Sequence, residues 1–186
     1  PAAGLLAFGS TLVTATNANA VDVDGIWGEG TTVALQQFLN QALGAGLEVD
    51  GLIGSQPASA QEELAVFGSG WDWVSDSDAS GSATITAMQN WLGVSADGLI
   101  GRQTLSALGS YEDPELGREI DELNRELDEL GRFVEGVGED VQREYEEIKN
   151  KLKELYEEVI RKLQRMLDKL SGKPDPEARK WFEEHR

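Results

Sequence analysis

Three copies of the motif Asp-Gly-x-x-Gly form the clearest chemical pattern in this sequence, at residues 24–28, 50–54 and 97–101. In each copy the aspartate side chain is suited to accept hydrogen bonds from nearby backbone N–H groups, and the glycines permit positive φ. The motif therefore predicts tight turns, and for the three aspartates a turn role is favoured over ligand contact. The predicted turn residues are Asp24, Gly25, Gly28, Asp50, Gly51, Gly54, Asp97, Gly98 and Gly101.

The elements that would position these turns are amphipathic helices that also repeat, at residues 31–39 and 84–92. A threonine follows two of the loops and is expected to act as a helix N-cap, at Thr31 and Thr104. Gly44 and Gly93 are expected to end the two helices. The units predicted from this pattern span 22–67 and 75–110. The expected core residues are Trp27, Leu35, Phe38, Leu39, Ala42, Leu43, Ile53, Ile85, Met88, Leu92 and Ile100.

Residues for catalysis or metal binding are scarce. The chain has no cysteine, and its one histidine, His185, lies next to the C-terminus, so a thiol site, a zinc site or a Ser-His-Asp triad has almost no support. Asp76, Asp78 and Ser80 imitate the start of a calcium loop, but Ala87 stands where that loop needs a bidentate acid. A solvated acidic turn is favoured. No acid pair stands out as a hydrolase pair, so we expect no enzyme, metal or cofactor.

The repeat resembles the peptidoglycan-binding domain found as an accessory module in bacterial cell-wall amidases, carboxypeptidases and phage endolysins. That family combines Asp-Gly-x-aromatic-Gly loops with a following threonine and a glutamine-bearing helix. The resemblance implies a small all-α domain, a non-catalytic role, a peptidoglycan or muropeptide ligand and an exported ancestor. The matching residues are Asp24, Gly25, Trp27, Gly28, Thr31, Ala34, Asp50, Gly51, Gly54, Thr84, Ala87, Gln89, Asp97, Gly98, Gly101, Thr104 and Ala107.

The sequence departs from the family pattern at defined places. Pro57 stands where the second loop should offer a threonine, and residues 76–82 form a degenerate opening loop. The usual first helix, which carries a Leu-Gln pair, is not evident before Val21. These departures put the ligand groove in question more than the fold.

Sugar binding by such a domain requires exposed aromatic rings and amides. The candidate ligand-binding residues are Trp27, Gln36, Trp71, Trp73, Gln89 and Trp91. Because Asp72 separates Trp71 from Trp73, we expect only one of these two indoles to face inward. The other would then be either a stacking surface for sugar or partly buried at a domain seam.

The composition changes abruptly near residue 111. Residues 1–110 hold one basic residue, Arg102, against eleven acids, whereas residues 111–186 hold 15 basic and 23 acidic residues. A net charge of -18 argues against binding to nucleic acid or to anionic membranes. We therefore predict three parts: an apolar N-terminal segment at 1–21, a repeat domain at 22–110 and a helical extension at 111–186.

The extension predicts long helices. Asp113-Pro114 and Asp175-Pro176 are strong helix starts. Around Gly136-Gly138 the chain either turns, giving a hairpin, or continues as one rod; the turn is slightly favoured. Trp181 and Phe182 on a short last helix would anchor it to the bundle or to the repeat domain. The apolar seam comprises Leu116, Ile120, Leu123, Leu127, Leu130, Val134, Val137, Val141, Tyr145, Ile148, Leu152, Leu155, Val159, Leu163, Met166 and Leu170.

The uniform Glu, Lys and Leu composition of this extension resembles computational de novo design, because every local choice agrees with every other. Such an element either folds independently or clasps the repeat domain. In the second case Gly131 and Gly138 are expected to mark the close approach between the two parts.

The apolar run at residues 5–13, followed by Ala18-Asn19-Ala20, is either a signal-peptide remnant or a folded first segment; the folded alternative is favoured. The fold class expected overall is all-α: a small helical repeat domain with Asp-Gly loops, then a helical hairpin or coiled-coil-like element. The expected function is peptidoglycan binding, in the cell wall for the ancestor of residues 1–110. The alternative is an engineered scaffold whose helices bind a protein partner or self-associate, with the natural domain as a carrier.

Overall fold

The computed structural model describes residues 21–132, 138–170 and 184. Within them the chain is mostly helical, which confirms the all-α fold class. The helices are α1 (Glu29–Leu43), α2 (Ala58–Leu64), α3 (Ala83–Leu92), α4 (Arg102–Glu112), α5 (Pro114–Gly131) and α6 (Glu139–Leu170). Two short parallel strands, β1 (Gln56–Pro57) and β2 (Trp73–Val74), and a 3-10 turn (Asp76–Asp78) join them.

Several sequence predictions lie outside the described residues. They concern the N-terminal segment up to residue 20, the seam and turn residues Val134, Gly136 and Val137, the helix start at Asp175-Pro176, and the C-terminal residues Trp181, Phe182 and His185. Among the described residues, no helix is both long and apolar enough to span a membrane.

Local chemistry sets most helix ends. Asp113 accepts a hydrogen bond from the N–H of Glu115, with Pro114 in the first turn. Gly44 and Gly93 end α1 and α3 in the left-handed conformation, with φ of 61° and 76°. The N-cap assignments of Thr31 and Thr104 were wrong. α1 and α4 instead begin after Gly28 and Gly101, so each threonine lies inside the first helical turn.

Helices α5 and α6 pack against each other as a hairpin, so the turn was the correct alternative to a single rod. The apolar seam meets along this contact, where Ile120 and Leu127 of α5 and Leu152 of α6 are buried. The Asn124 side-chain amide donates to the Tyr156 hydroxyl across the interface at 3.0 Å.

A second face of α6 is also buried, and it packs against α1 and α4 of the repeat. Ile160, Gln164 and Leu167 lie on this face, and each is no more than 3 % exposed. Their spacing of four and three residues continues one side of the helix. The buried apolar residues form one cluster on both sides of residue 111, and α4 itself runs through that position. The hairpin therefore clasps the repeat.

The close approaches occur at glycines other than those predicted. A Cβ on Gly131 would meet only Tyr145, at 3.7 Å, and one on Gly138 would meet no atom within 4 Å. Tight contacts occur instead at Gly109, whose Cβ would lie 3.1 Å from Val159, at Gly117, whose Cβ would lie 2.8 Å from the Cα of Ser110, and at Gly25, whose Cβ would lie 3.3 Å from the Glu157 carbonyl. Leu43, expected in the core, is 37 % exposed because α1 ends beside it.

Candidate functional site

Gln36 on α1 holds the second Asp-Gly loop through both ends of its amide. Its Oε1 accepts from the N–H groups of Asp50 and Gly51, both at 3.0 Å. Its Nε2 donates to the Asp50 carboxylate at 3.1 Å, to the Leu52 carbonyl at 3.3 Å and to the Thr84 hydroxyl at 3.1 Å. A buried amide with its donors and acceptor satisfied in this way fixes the loop against the helix.

Gln89 on α3 holds the third Asp-Gly loop through the same kinds of hydrogen bond. Its Oε1 accepts from Gly98 N at 2.8 Å. Its Nε2 donates to the Asp97 carboxylate, the Leu99 carbonyl and the Thr104 hydroxyl at 3.0, 3.0 and 3.1 Å.

The first Asp-Gly loop is held by a glutamine that lies far away in the sequence, on α6. Gln164 on α6 accepts from the N–H groups of Asp24 and Gly25, both at 3.0 Å. Its Nε2 donates to the Asp24 carboxylate at 3.1 Å, to the Ile26 carbonyl at 2.8 Å and to the Thr31 hydroxyl at 2.9 Å. The helical extension thus supplies the glutamine that holds the first Asp-Gly loop.

These three arrangements make the repeat threefold, whereas the sequence predicted two units. Each consists of a glutamine, an Asp-Gly loop and a threonine, and Thr84 supplies the threonine that Pro57 does not. Sequence reasoning missed Gln164, although a signal was present. Residues 35–39, 88–92 and 163–167 share one pattern: Leu or Met, Gln, a polar residue, a large apolar residue, then Leu.

Four of the six candidate ligand-binding residues are buried structural groups. Gln36 and Gln89 are each 1 % exposed and are occupied by the loops. Trp27 is fully buried, and its indole N–H donates to the Thr32 hydroxyl at 2.9 Å. Trp91 is 9 % exposed and packs edge-on against Phe38. None of these four side chains presents a surface to a sugar.

Trp71 and Trp73 remain partly exposed, and together with Phe67 they form what we call the aromatic surface. The two indoles lie almost parallel, with 8° between their planes and 5.2 Å between centroids. Phe67 lies 4.5 Å from Trp71 and 4.9 Å from Trp73. The expectation that only one indole faces inward was wrong, because residues two apart in an extended segment point to the same side.

The two indoles differ in their polar atoms. Trp71 donates its N–H to the Trp27 carbonyl at 2.8 Å, which ties it to the first loop. Trp73 has no hydrogen-bond acceptor for its N–H among the described residues. Asp72 and Ser69, both exposed, flank this surface in sequence. The arrangement offers a flat apolar ring beside free polar groups.

The acidic turn that imitates a calcium loop has a structural role. Asp76 accepts a hydrogen bond from Ser59 N at 3.1 Å in the first turn of α2, and hydrogen bonds from Ser59 lower the pKa of Asp76. The Ser75 hydroxyl donates to Asp78 at 2.8 Å. Across the described ranges, no group of three or more His, Asp or Glu side chains is arranged to hold a metal ion.

The chain was compared with protein-family models, with curated proteins and with solved structures. No family model matches it, and neither does any curated protein or solved structure.

Proposed function

We propose that this chain is a non-catalytic module that binds the glycan of bacterial peptidoglycan through the aromatic surface of Phe67, Trp71 and Trp73. The single observation that carries the proposal is the stacked, partly exposed indole pair. Tryptophan combines a large apolar face with a polar N–H, so it suits a ligand that alternates C–H faces and hydroxyls. The resemblance of the loops to a cell-wall-binding family supports the same ligand.

Within the aromatic surface, we assign the main sugar contact to Trp73. Its ring stacks on Trp71, which supports it from one side. Its free indole N–H would bond a sugar hydroxyl, whereas the N–H of Trp71 is already used. Trp71 is therefore a positioning residue and Trp73 the contact residue.

In this proposal the α5–α6 hairpin completes the repeat and is not itself a binding element. The alternative gives the hairpin a protein partner and treats the repeat as a carrier. Tyr156, Ile160 and Leu163 of α6 are buried within the molecule. Because these side chains are not exposed to a protein partner, their burial favours the proposal that the hairpin completes the repeat. The design-like sequence of the hairpin is consistent with a helix that was added to replace the first helix of the natural ancestor.

Sedimentation with purified cell-wall sacculi tests the proposal on the full chain. We expect the unmodified protein to sediment and Trp73→Ala to lose roughly three- to tenfold in affinity, the range of a single aromatic contact. Leu52→Ala is the matched control, since Leu52 is a large apolar side chain that is 55 % exposed outside the aromatic surface. If the unmodified protein stays in the supernatant while a known wall binder sediments, the proposal is wrong.

A further inference from the structure

A cleft with a volume of about 360 Å³ lies between α2, α5 and α6. This volume is at the lower end of the range for small-molecule sites, roughly 300–1,000 Å³. The cleft shares no lining residue with the aromatic surface. Leu127 and Leu152 contribute apolar area, and the Asn124 and Tyr156 side chains line it as well.

The two walls carry opposite charge. Glu62 and Glu63 belong to α2, and Lys149 and Lys153 belong to α6. Neither Glu62 nor Lys153 forms an ion pair with any described residue, although each faces a cleft that also holds the opposite charge. Glu63 pairs with Arg102 at 3.9 Å and Lys149 with Glu146 at 3.8 Å, so Glu62 and Lys153 are the two charges across the cleft that are available to a ligand.

The hydroxyl proton of Tyr156, which lines this cleft, makes only a long hydrogen bond. The Tyr156 side chain is 1 % exposed and accepts from Asn124 Nδ2 at 3.0 Å. The acceptor for its own proton among the described residues is Asn124 Oδ1 at 3.4 Å, on the same amide. That oxygen also accepts from Arg102 at 3.2 Å. A ligand oxygen in the cleft would give the hydroxyl a better acceptor.

We propose that this cleft binds a short peptide with free termini, its carboxylate beside Lys149 and Lys153 and its ammonium group beside Glu62 and Glu63. A zwitterion matches both walls, and a backbone carbonyl supplies the acceptor for Tyr156. The apolar side chains of Leu127 and Leu152 suit small aliphatic residues. This site is independent of glycan binding at the aromatic surface.

The test uses the full chain, labelled for amide NMR, with two probes: trialanine with free termini, and trialanine acetylated and amidated at its ends. We expect free trialanine to shift the amides of α2 and of residues 145–156, and the blocked peptide to bind at least about fivefold more weakly. Equal binding of the two peptides, or shifts confined to other regions, would overturn the proposal.

Substitutions locate the interaction. Lys153→Gln and Glu62→Gln are each expected to weaken binding about two- to fivefold, the range of an exposed ion pair. Tyr156→Phe is expected to weaken it about two- to tenfold. Lys151→Gln is the control, since Lys151 is exposed on α6 and does not line the cleft. Unchanged binding in Lys153→Gln and Glu62→Gln, with both melting normally, would also contradict the proposal.

Discussion

Gln164 and Asp24 lie 140 residues apart in the chain and form two hydrogen bonds, one through each end of the glutamine amide. The same pairing joins Gln36 to Asp50. A helix from the extension thus plays the part of a repeat helix, and the compositional boundary near residue 111 is not a boundary in the packing.

Replacing Gln164 should destabilise the protein as strongly as replacing either of the other two glutamines. Gln164→Leu leaves the Gly25 N–H and the Ile26 carbonyl without their partner, and a net loss of about 2–4 kcal/mol in the free energy of unfolding is expected. Denaturant unfolding measures it. Gln142→Leu, at an exposed position of the same helix, should change stability by no more than about 0.5 kcal/mol. Equal effects of the two substitutions would contradict the pairing.

Gly98→Val should destabilise the third loop. Gly98 has φ of +77°, and a Cβ there would lie 2.9 Å from the Thr86 hydroxyl. A β-branched residue at such a φ costs about 1–3 kcal/mol before any clash is counted. Gly30→Val is the control, because a Cβ at Gly30 meets no atom within 4 Å. Thermal unfolding should show a clear drop for the first variant and an unchanged or slightly raised melting temperature for the second.

Two glycines of α5 should respond in opposite directions to alanine. A Cβ on Gly117 would lie 2.8 Å from the Cα of Ser110, so Gly117→Ala should cost about 1–3 kcal/mol by forcing α4 and α5 apart. Gly131→Ala should stabilise the full chain by up to about 1 kcal/mol through helix propensity, since its Cβ would meet only Tyr145, at an ordinary contact distance of 3.7 Å. A gain in melting temperature for Gly117→Ala would show that the two helices do not pack this closely.

The sequence was sufficient for features set by near neighbours along the chain. The turn at Asp50 depends on a carboxylate that bonds the N–H of Leu52, two residues on. The ends of α1 and α3 depend on Gly44 and Gly93. Such interactions are readable from local spacing alone, and the heptad seam of the extension is a regular pattern of the same kind.

Features set by distant partners were missed. Gln164 looks like one more polar residue on a charged helix until the loop that it holds is known. Thr31 has the residue type of a cap, but it accepts from Gln164 instead. The buried roles of Gln36 and Gln89 likewise depend on loops that follow them in the chain, so their residue types alone suggested ligand contact.

Stability at alkaline pH should depend on Tyr156. Burial raises its pKa from 10.0 to about 12 in the folded protein. Between these values the folded state retains a proton that the unfolded state has lost, so the free energy of unfolding falls as pH rises. One proton corresponds to about 1.4 kcal/mol per pH unit. Tyr156→Phe should make this decline shallower by up to that amount. An unchanged slope in Tyr156→Phe would contradict burial of the hydroxyl.

Amide hydrogen exchange at Gly25 tests most directly whether the helical extension completes the repeat. The Gly25 N–H donates to Gln164, as the N–H of Gly51 donates to Gln36 and that of Gly98 to Gln89. We predict that the Gly25 amide is protected to a degree similar to the other two, and that Gln164→Leu removes protection at Gly25 first. Exchange of Gly25 at the rate of a free amide, with Gly51 and Gly98 still protected, would contradict the account.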